Sequence, residues 1–183
     1  MYHSILLRAS LVCCLASCVA DDPVEDGDVA DLSAAVSPAF ISTGRIVNAK
    51  SGRCIGVDGA STANGALLKQ FTCAGTTIPN NQIWNVQSTD SLLFLNSKSS
   101  KCMGVDGASV SSGANIGQFN CGGGATPNNQ QWFALAGPQG TFLKNSKSLL
   151  CLGVDGASTA NGAQLKQFPC DGSTNQQWIG VSL

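Results

Sequence analysis

Three kinds of side chain recur at fixed offsets in this chain, and their chemistry is that of recognition rather than bond cleavage. An aspartate stands four residues after a cysteine at Asp58, Asp106 and Asp155. A phenylalanine stands two residues before a second cysteine at Phe71, Phe119 and Phe168. An Asn-Gln pair precedes each tryptophan: Asn81-Gln82, Asn129-Gln130 and Asn175-Gln176. Carboxylates accept hydrogen bonds from hydroxyl groups, amides donate and accept, and a phenyl ring offers an apolar face. Two residues before the phenylalanine the chain has Lys69 in the first set and Lys166 in the third, but Gly117 in the second, which makes the second set the poorest in polar groups.

Groups that catalysis usually requires are scarce. The single histidine is His3, the single tyrosine is Tyr2, and no glutamate follows Glu25. Most general acids and bases are therefore absent from the body of the chain. Glycoside hydrolysis needs two closely spaced carboxyl groups, whereas Asp58, Asp106 and Asp155 fall in separate copies of a repeat. No close Cys-x-x-Cys pair accompanies the lone histidine, so a zinc site is not expected. The reading is a binding protein with no catalytic residue, metal or cofactor.

The elements that position these groups come in three copies. Arg53-Cys54-Ile55-Gly56-Val57-Asp58-Gly59-Ala60-Ser61 returns as Lys101-Cys102-Met103-Gly104-Val105-Asp106-Gly107-Ala108-Ser109 and as Leu150-Cys151-Leu152-Gly153-Val154-Asp155-Gly156-Ala157-Ser158, a period of about 48 residues. Each copy continues through Gln-Phe-x-Cys and closes on Asn-Gln-x-Trp, which uses Trp84, Trp132 and Trp178, every tryptophan present. The repeats span roughly 44–90, 91–137 and 138–183.

Turn formers punctuate each repeat, and the segments between them are short and rich in residues that suit strands. For the first repeat, strands are expected at 45–49, 54–57, 66–71 and 82–87, separated by Lys50-Ser51-Gly52, Asp58-Gly59 and Asn64-Gly65. Asp58-Gly59 therefore has two readings, a turn or a ligand-facing carboxylate. Twelve strands in three equal units call for a closed arrangement, since an open sheet of that length leaves unprotected edges.

Cys54 and Cys73, Cys102 and Cys121, and Cys151 and Cys170 are each nineteen positions apart. Six cysteines allow fifteen connectivities, and the one that treats all repeats alike pairs them within the repeat. Each such bridge contributes about 3 kcal/mol on the chain-entropy estimate.

The N-terminal part has a different character. Residues 5–17 are largely apolar, too short for a stable membrane span, and read as a signal peptide over 1–18. Leu15-Ala16-Ser17-Cys18 is similar to the lipobox of bacterial lipoproteins, which implies lipid attachment at Cys18 and a place in the cell envelope. Cleavage after Ala20 would instead release a secreted protein. Residues 19–43 carry Asp21, Asp22, Glu25, Asp26, Asp28 and Asp31 with Pro23 and Pro38, the composition of a disordered acidic tether. From Gly44 onward the few charges are scattered singly, with no basic patch for nucleic acid.

Ser51-Gly52-Arg53-Cys54, Gln70-Phe71-Thr72-Cys73 and Asn81-Gln82-Ile83-Trp84, repeated three times over residues 44–183, resemble the R-type lectins, the ricin-type carbohydrate-binding modules. The resemblance implies an all-β fold, a β-trefoil of three four-stranded repeats with pseudo-threefold symmetry and one core Trp per repeat. It implies a glycan or polysaccharide as partner; the protein is expected to be a monomer that touches a membrane only through the N-terminal lipid that the lipobox-like segment would carry. In such a site an aromatic ring stacks on the sugar while a carboxylate and amides take its hydroxyls. The positions that correspond are Phe71, Phe119 and Phe168 for the ring, the three Asn-Gln pairs for the amides, and Lys69 and Lys166 for the neighbouring polar group. The family's gripping Asp stands two residues after the first Cys, where this chain has Gly56, Gly104 and Gly153. Asp58, Asp106 and Asp155 lie two residues further on and are the expected substitutes. A trefoil that has lost sugar binding and serves as a protein-interaction or inhibitor module is the alternative.

Overall fold

The structure, a computed structural model, describes residues 41–77, 80–122 and 127–183. The signal peptide, Cys18 and nearly all of the tether lie outside the described residues.

Each repeat contributes four strands. The first has β1 (Thr43–Asn48), β2 (Cys54–Val57), β3 (Leu68–Phe71) and β4 (Trp84–Ser88). The second has β5 (Leu92–Asn96), β6 (Cys102–Val105), β7 (Ile116–Phe119) and β8 (Trp132–Gly137). The third has β9 (Gly140–Asn145), β10 (Cys151–Val154), β11 (Leu165–Phe168) and β12 (Gln177–Ser182). Pairing runs β9–β12–β1–β4–β5–β8 and returns from β8 to β9, so six strands close into a barrel with no free edge. Hairpins β2–β3, β6–β7 and β10–β11 cap one end, touching each other through Leu67↔Gly117, Asn115↔Lys166 and Lys69↔Gln164. This is the expected β-trefoil.

The burial patterns follow from this placement. β1, β5 and β9 alternate buried and half-exposed residues, because one face of each barrel strand looks inward. The four residues of β2, β6 and β10 are buried throughout, sealed by the core on one side and by the overlying loop on the other. The core is filled in threes by equivalent residues: Ile46, Phe94 and Leu143; Ile55, Met103 and Leu152; Leu68, Ile116 and Leu165; and the three Trp, all fully buried. Each indole N–H donates to a carbonyl of its own repeat, Trp84 to Ile55 at 3.1 Å, Trp132 to Met103 at 3.2 Å and Trp178 to Leu152 at 3.0 Å. A buried indole thus loses no hydrogen bond on folding.

Two expected strand starts move inward, each because the backbone before it is engaged elsewhere. β3 begins at Leu68 rather than residue 66 because the preceding backbone bonds to the next repeat: Gly65 N–H donates to Gln118 O at 2.8 Å, and Gln118 N–H donates to Ala66 O at 2.9 Å. β4 begins at Trp84 rather than residue 82 because Asn81 and Gln82 sit in a turn, where Asn80 Oδ1 accepts the Gln82 N–H at 2.8 Å and Asn81 Nδ2 donates to Val57 O at 3.0 Å.

The bridges Cys54–Cys73, Cys102–Cys121 and Cys151–Cys170 each join the first strand of a cap hairpin to the residues just past its second, with Cα atoms 5.0, 5.1 and 5.1 Å apart. Pairing within the repeat is the observed connectivity.

Candidate functional site

Strand pairing puts the candidate groups on one face of each cap hairpin. Cys54 pairs with Phe71 and Gly56 with Lys69, so Cys54, Gly56, Lys69 and Phe71 point the same way. The same register holds for Cys102 with Phe119 and for Cys151 with Phe168.

The missing aspartate has a steric explanation. A Cβ added at Gly56 would lie 2.9 Å from Gln82 Cγ, 3.0 Å from Phe71 Cδ2 and 3.3 Å from Asn81 Nδ2. At Gly104 it would lie 2.9 Å from Gln130 Cγ and 3.3 Å from Phe119 Cδ2; at Gly153, 3.1 Å from Gln176 Cγ and 3.2 Å from Phe168 Cδ2. In every repeat the ring edge and the Gln stem close over the glycine. Gly117 is crowded in the same way, its added Cβ lying 3.2 Å from Phe119 Cζ. The glycines and the half-buried phenylalanines form one packing unit.

Asp58 and its equivalents begin turns rather than continuing the strand. Residues 58–60, 106–108 and 155–157 form 3-10 turns, with Gly59, Gly107 and Gly156 each at φ 58°. The carboxylate of Asp58 meets Lys69 Nζ at 2.7 Å, and that of Asp155 meets Lys166 Nζ at 2.8 Å. Both the turn reading and a charged partnership are realised. Pairs this exposed contribute little stability, of order 0–1 kcal/mol. In the second repeat Gly117 pairs with Gly104 where Lys69 pairs with Gly56, and Asp106 is exposed.

The amides divide into two roles. Asn81, Asn129 and Asn175 donate through Nδ2 to the carbonyls of Val57, Val105 and Val154, at 3.0, 3.1 and 3.4 Å. The glutamines bind the loop that follows the second Cys. Gln82 Oε1 accepts from Ala74 N–H at 2.8 Å while its Nε2 donates to Thr72 O at 3.2 Å. Gln176 repeats this with Asp171 N–H at 3.3 Å and Pro169 O at 2.9 Å. Gln130 Nε2 donates to Asn120 O at 3.1 Å, and among the described residues its Oε1 has no partner. The glutamines are thus engaged within the fold and set the shape of the site wall.

Clefts open over the first and third repeats. The first, about 350 Å³, is lined by Phe71, Thr72, Asn81, Gln82 and the Gly59-Ala60 turn, with Asn161 contributed by the third repeat. The third, about 470 Å³, is lined by Phe168, Pro169, Asn175, Gln176 and the Gly156-Ala157 turn, with Asp171 and Ser173 on its rim. The two ion pairs lie outside both linings. In the second repeat Phe119 and Gln130 keep the same relation to Gly104, while Asn129 approaches it through its backbone oxygen, and residues 123–126 fall outside the described residues. Among the described residues no three His, Cys, Asp or Glu side chains gather where they could hold a metal ion.

Several residues that build the site carry no signal in the sequence beyond their recurrence. Gln70, Gln118 and Gln167 are fully buried, and each latches its repeat to the preceding one around the threefold. Gln70 Nε2 donates to Ser158 O and Ala160 O, both at 2.9 Å, and Ser51 Oγ meets Gln70 Oε1 at 2.7 Å. Asn48, Asn96 and Asn145 tie the hairpin loops to the carbonyls of Asn175, Asn81 and Asn129. Asp171 lacks even the signal of recurrence, since its position is held by Ala74 and Gly122 in the other repeats.

A family model, the ricin-type beta-trefoil lectin domain, matches residues 42–178. Among solved structures the chain is 34% identical to a designed threefold-symmetric protein, ThreeFoil, with a TM-score of 0.71 over 78% of this chain and 100% of that one. It is 25% identical to an exo-beta-1,3-galactanase, 1,3Gal43A, from Clostridium thermocellum, with a TM-score of 0.70 over 79% of this chain but only 31% of the galactanase. The Rhizoctonia solani agglutinin shares the fold at 17% identity and a TM-score of 0.66, over 76% of this chain and 94% of that one. No curated protein sequence matches the chain.

Proposed function

Because the chain belongs to the ricin-type β-trefoil lectin family, we propose that residues 44–183 bind glycan or polysaccharide through the clefts of the first and third repeats. The observation that carries this reading is the register of ring, amide and turn. Phe71 with Asn81 and Phe168 with Asn175 line equivalent depressions held rigid by a disulfide, a core indole and the glutamine staple. A sugar presents a patch of C–H groups beside fixed hydroxyls, which a ring edge and an amide can orient together. Lys69 with Asp58 and Lys166 with Asp155 are rim groups that an extended chain would reach after the cleft is filled.

Two such clefts on one rigid body bind a polysaccharide with greater avidity than either binds a monosaccharide. The three disulfides fit an oxidising compartment. Together with the apolar N-terminus they support export, with a lipid at Cys18 and the acidic tether holding a monomeric lectin off the envelope surface.

A second reading has one observation in its favour: among the described residues no carboxylate lines the cleft of the first repeat, since Gly56 replaces the family Asp and Asp58 is held by Lys69. On that reading the trefoil is a protein-interaction or inhibitor module. Retention on immobilised polysaccharides separates the two. The lectin reading expects retention of the folded protein and its loss in the Phe71→Ala, Phe168→Ala double variant. Absence of retention by the intact protein across a broad glycan panel overturns it.

A further inference from the structure

We propose that Asp171 is a ligand-contacting carboxylate peculiar to the third repeat, which takes the hydroxyl-gripping role left vacant at Gly153 from its own place in the cleft lining. This rests on the lectin reading above. Among the described residues the third cleft has an acidic lining residue and the first has none, because Asp171 is replaced by Ala74 there. Asp155 cannot supply the charge, since its carboxylate is bound to Lys166 and lies outside the lining.

Asp171 is already oriented. Its Oδ1 accepts from Ser173 N–H at 2.9 Å and from the Ser173 hydroxyl, and Gln176 fixes the Asp171 backbone N–H at 3.3 Å. Both bonds from Ser173 go to Oδ1, and among the described residues Oδ2 enters no hydrogen bond, which leaves it available to a ligand. A carboxylate held at one oxygen and open at the other, beside a ring and an Asn, is suited to a pair of vicinal hydroxyls. Ser173 also holds the group in its charged form, through its hydroxyl and then its N–H, which lower the carboxyl below the usual aspartate range.

Glycine crowding explains why the charge comes from this side. An Asp at position 153 would press its Cβ against Phe168 and Gln176, whereas position 171 lies on an exposed rim with room for a side chain. The three repeats therefore differ in chemistry while sharing a backbone, and the third is the strongest site for a neutral sugar.

Asp171→Asn tests this directly, because the amide oxygen can keep the bond from Ser173 N–H while the charge and the free acceptor are lost. Monosaccharide titrations followed by NMR would be run on the intact protein, on Phe71→Ala to silence the first cleft, and on Asp171→Asn in that background. A converse variant, Ala74→Asp, places the carboxylate in the first repeat, where Gly75-Thr76 follows as Gly172-Ser173 does in the third. The proposal expects at least tenfold weaker binding at the third cleft in Asp171→Asn with unchanged backbone shifts elsewhere, and tighter binding at the first cleft in Ala74→Asp. Binding lost in Phe168→Ala but unchanged in Asp171→Asn overturns the role of Asp171 and leaves the lectin reading intact. If the intact protein binds no sugar at all, both fall.

Discussion

Asn161, in the third repeat, accepts through its Oδ1 the backbone N–H of Thr72, in the first, at 2.7 Å. The same clasp joins Asn64 to Asn120 N–H at 2.7 Å, between the first and second repeats. At the third joint the receiving residue is Pro169, which has no N–H to offer, and the residue in the place of the asparagine is Ser112. The two departures from threefold symmetry therefore belong together: the donor and its acceptor are absent from the same joint.

Asn64→Ala and Asn161→Ala should each lower unfolding stability by about 1 kcal/mol, the usual net value of one such bond. Ser112→Asn alone should give nothing, while Ser112→Asn combined with Pro169→Thr should recover a favourable coupling in a double-mutant cycle of roughly 0.5–1.5 kcal/mol. Denaturant unfolding measures each. A gain from Ser112→Asn alone would contradict the clasp.

Restoring the family aspartate should fail. Gly56→Asp and Gly153→Asp insert a Cβ at 2.9–3.1 Å from a glutamine stem and 3.0–3.2 Å from a phenyl ring. Each should cost about 1–3 kcal/mol by overpacking, and weaken rather than improve sugar retention because the ring must move. Thermal unfolding and glycan binding of the same samples check both halves.

Ala60, Ala108 and Ala157 adopt positive φ, at 49°, 50° and 48°, a region costly for a residue with a Cβ. Replacing any of them with glycine relieves that conformation while adding unfolded-state entropy, so the net gain should be modest, about 0.5–1 kcal/mol. The melting temperature should rise with each substitution, and a fall would mean that the alanine methyl groups are needed as cleft wall.

The Asp171 carboxyl, lowered by the Ser173 hydroxyl and N–H, gives a defined pH response. A group whose value is lower in the folded state contributes above its unfolded value and loses that contribution as pH falls through its folded value. Order in the 171–173 turn, and sugar binding at the third cleft, should therefore persist through the usual aspartate range and fade only below it. Asp171→Asn should remove this acid transition, which amide shifts of Ser173 would register.

Much of the architecture is legible in the sequence because it repeats. The indoles, the cysteine pairs and the alternating strands appear three times at one spacing, and a strand placed in one copy is checked by the others. What the repetition cannot reveal is direction. Gln70 and Asn161 look like local polar residues, yet both act between repeats, a relation that exists only once the barrel closes. Asp58 is ambiguous in sequence because Asp-Gly favours a turn and a carboxylate favours a ligand; Lys69, eleven positions away in the chain, takes up the charge through the hairpin register. Asp171 escapes notice for the opposite reason. It occurs in one repeat alone, so a search for recurring groups passes over it.

The most direct measurement is a crystal structure of the protein soaked with mixed neutral monosaccharides. The account predicts sugar density stacked on Phe168 with a hydroxyl at Asp171, and weaker density on Phe71 beside Asn81. Well-ordered clefts that stay empty at saturating sugar, or sugar bound away from both rings, would contradict it.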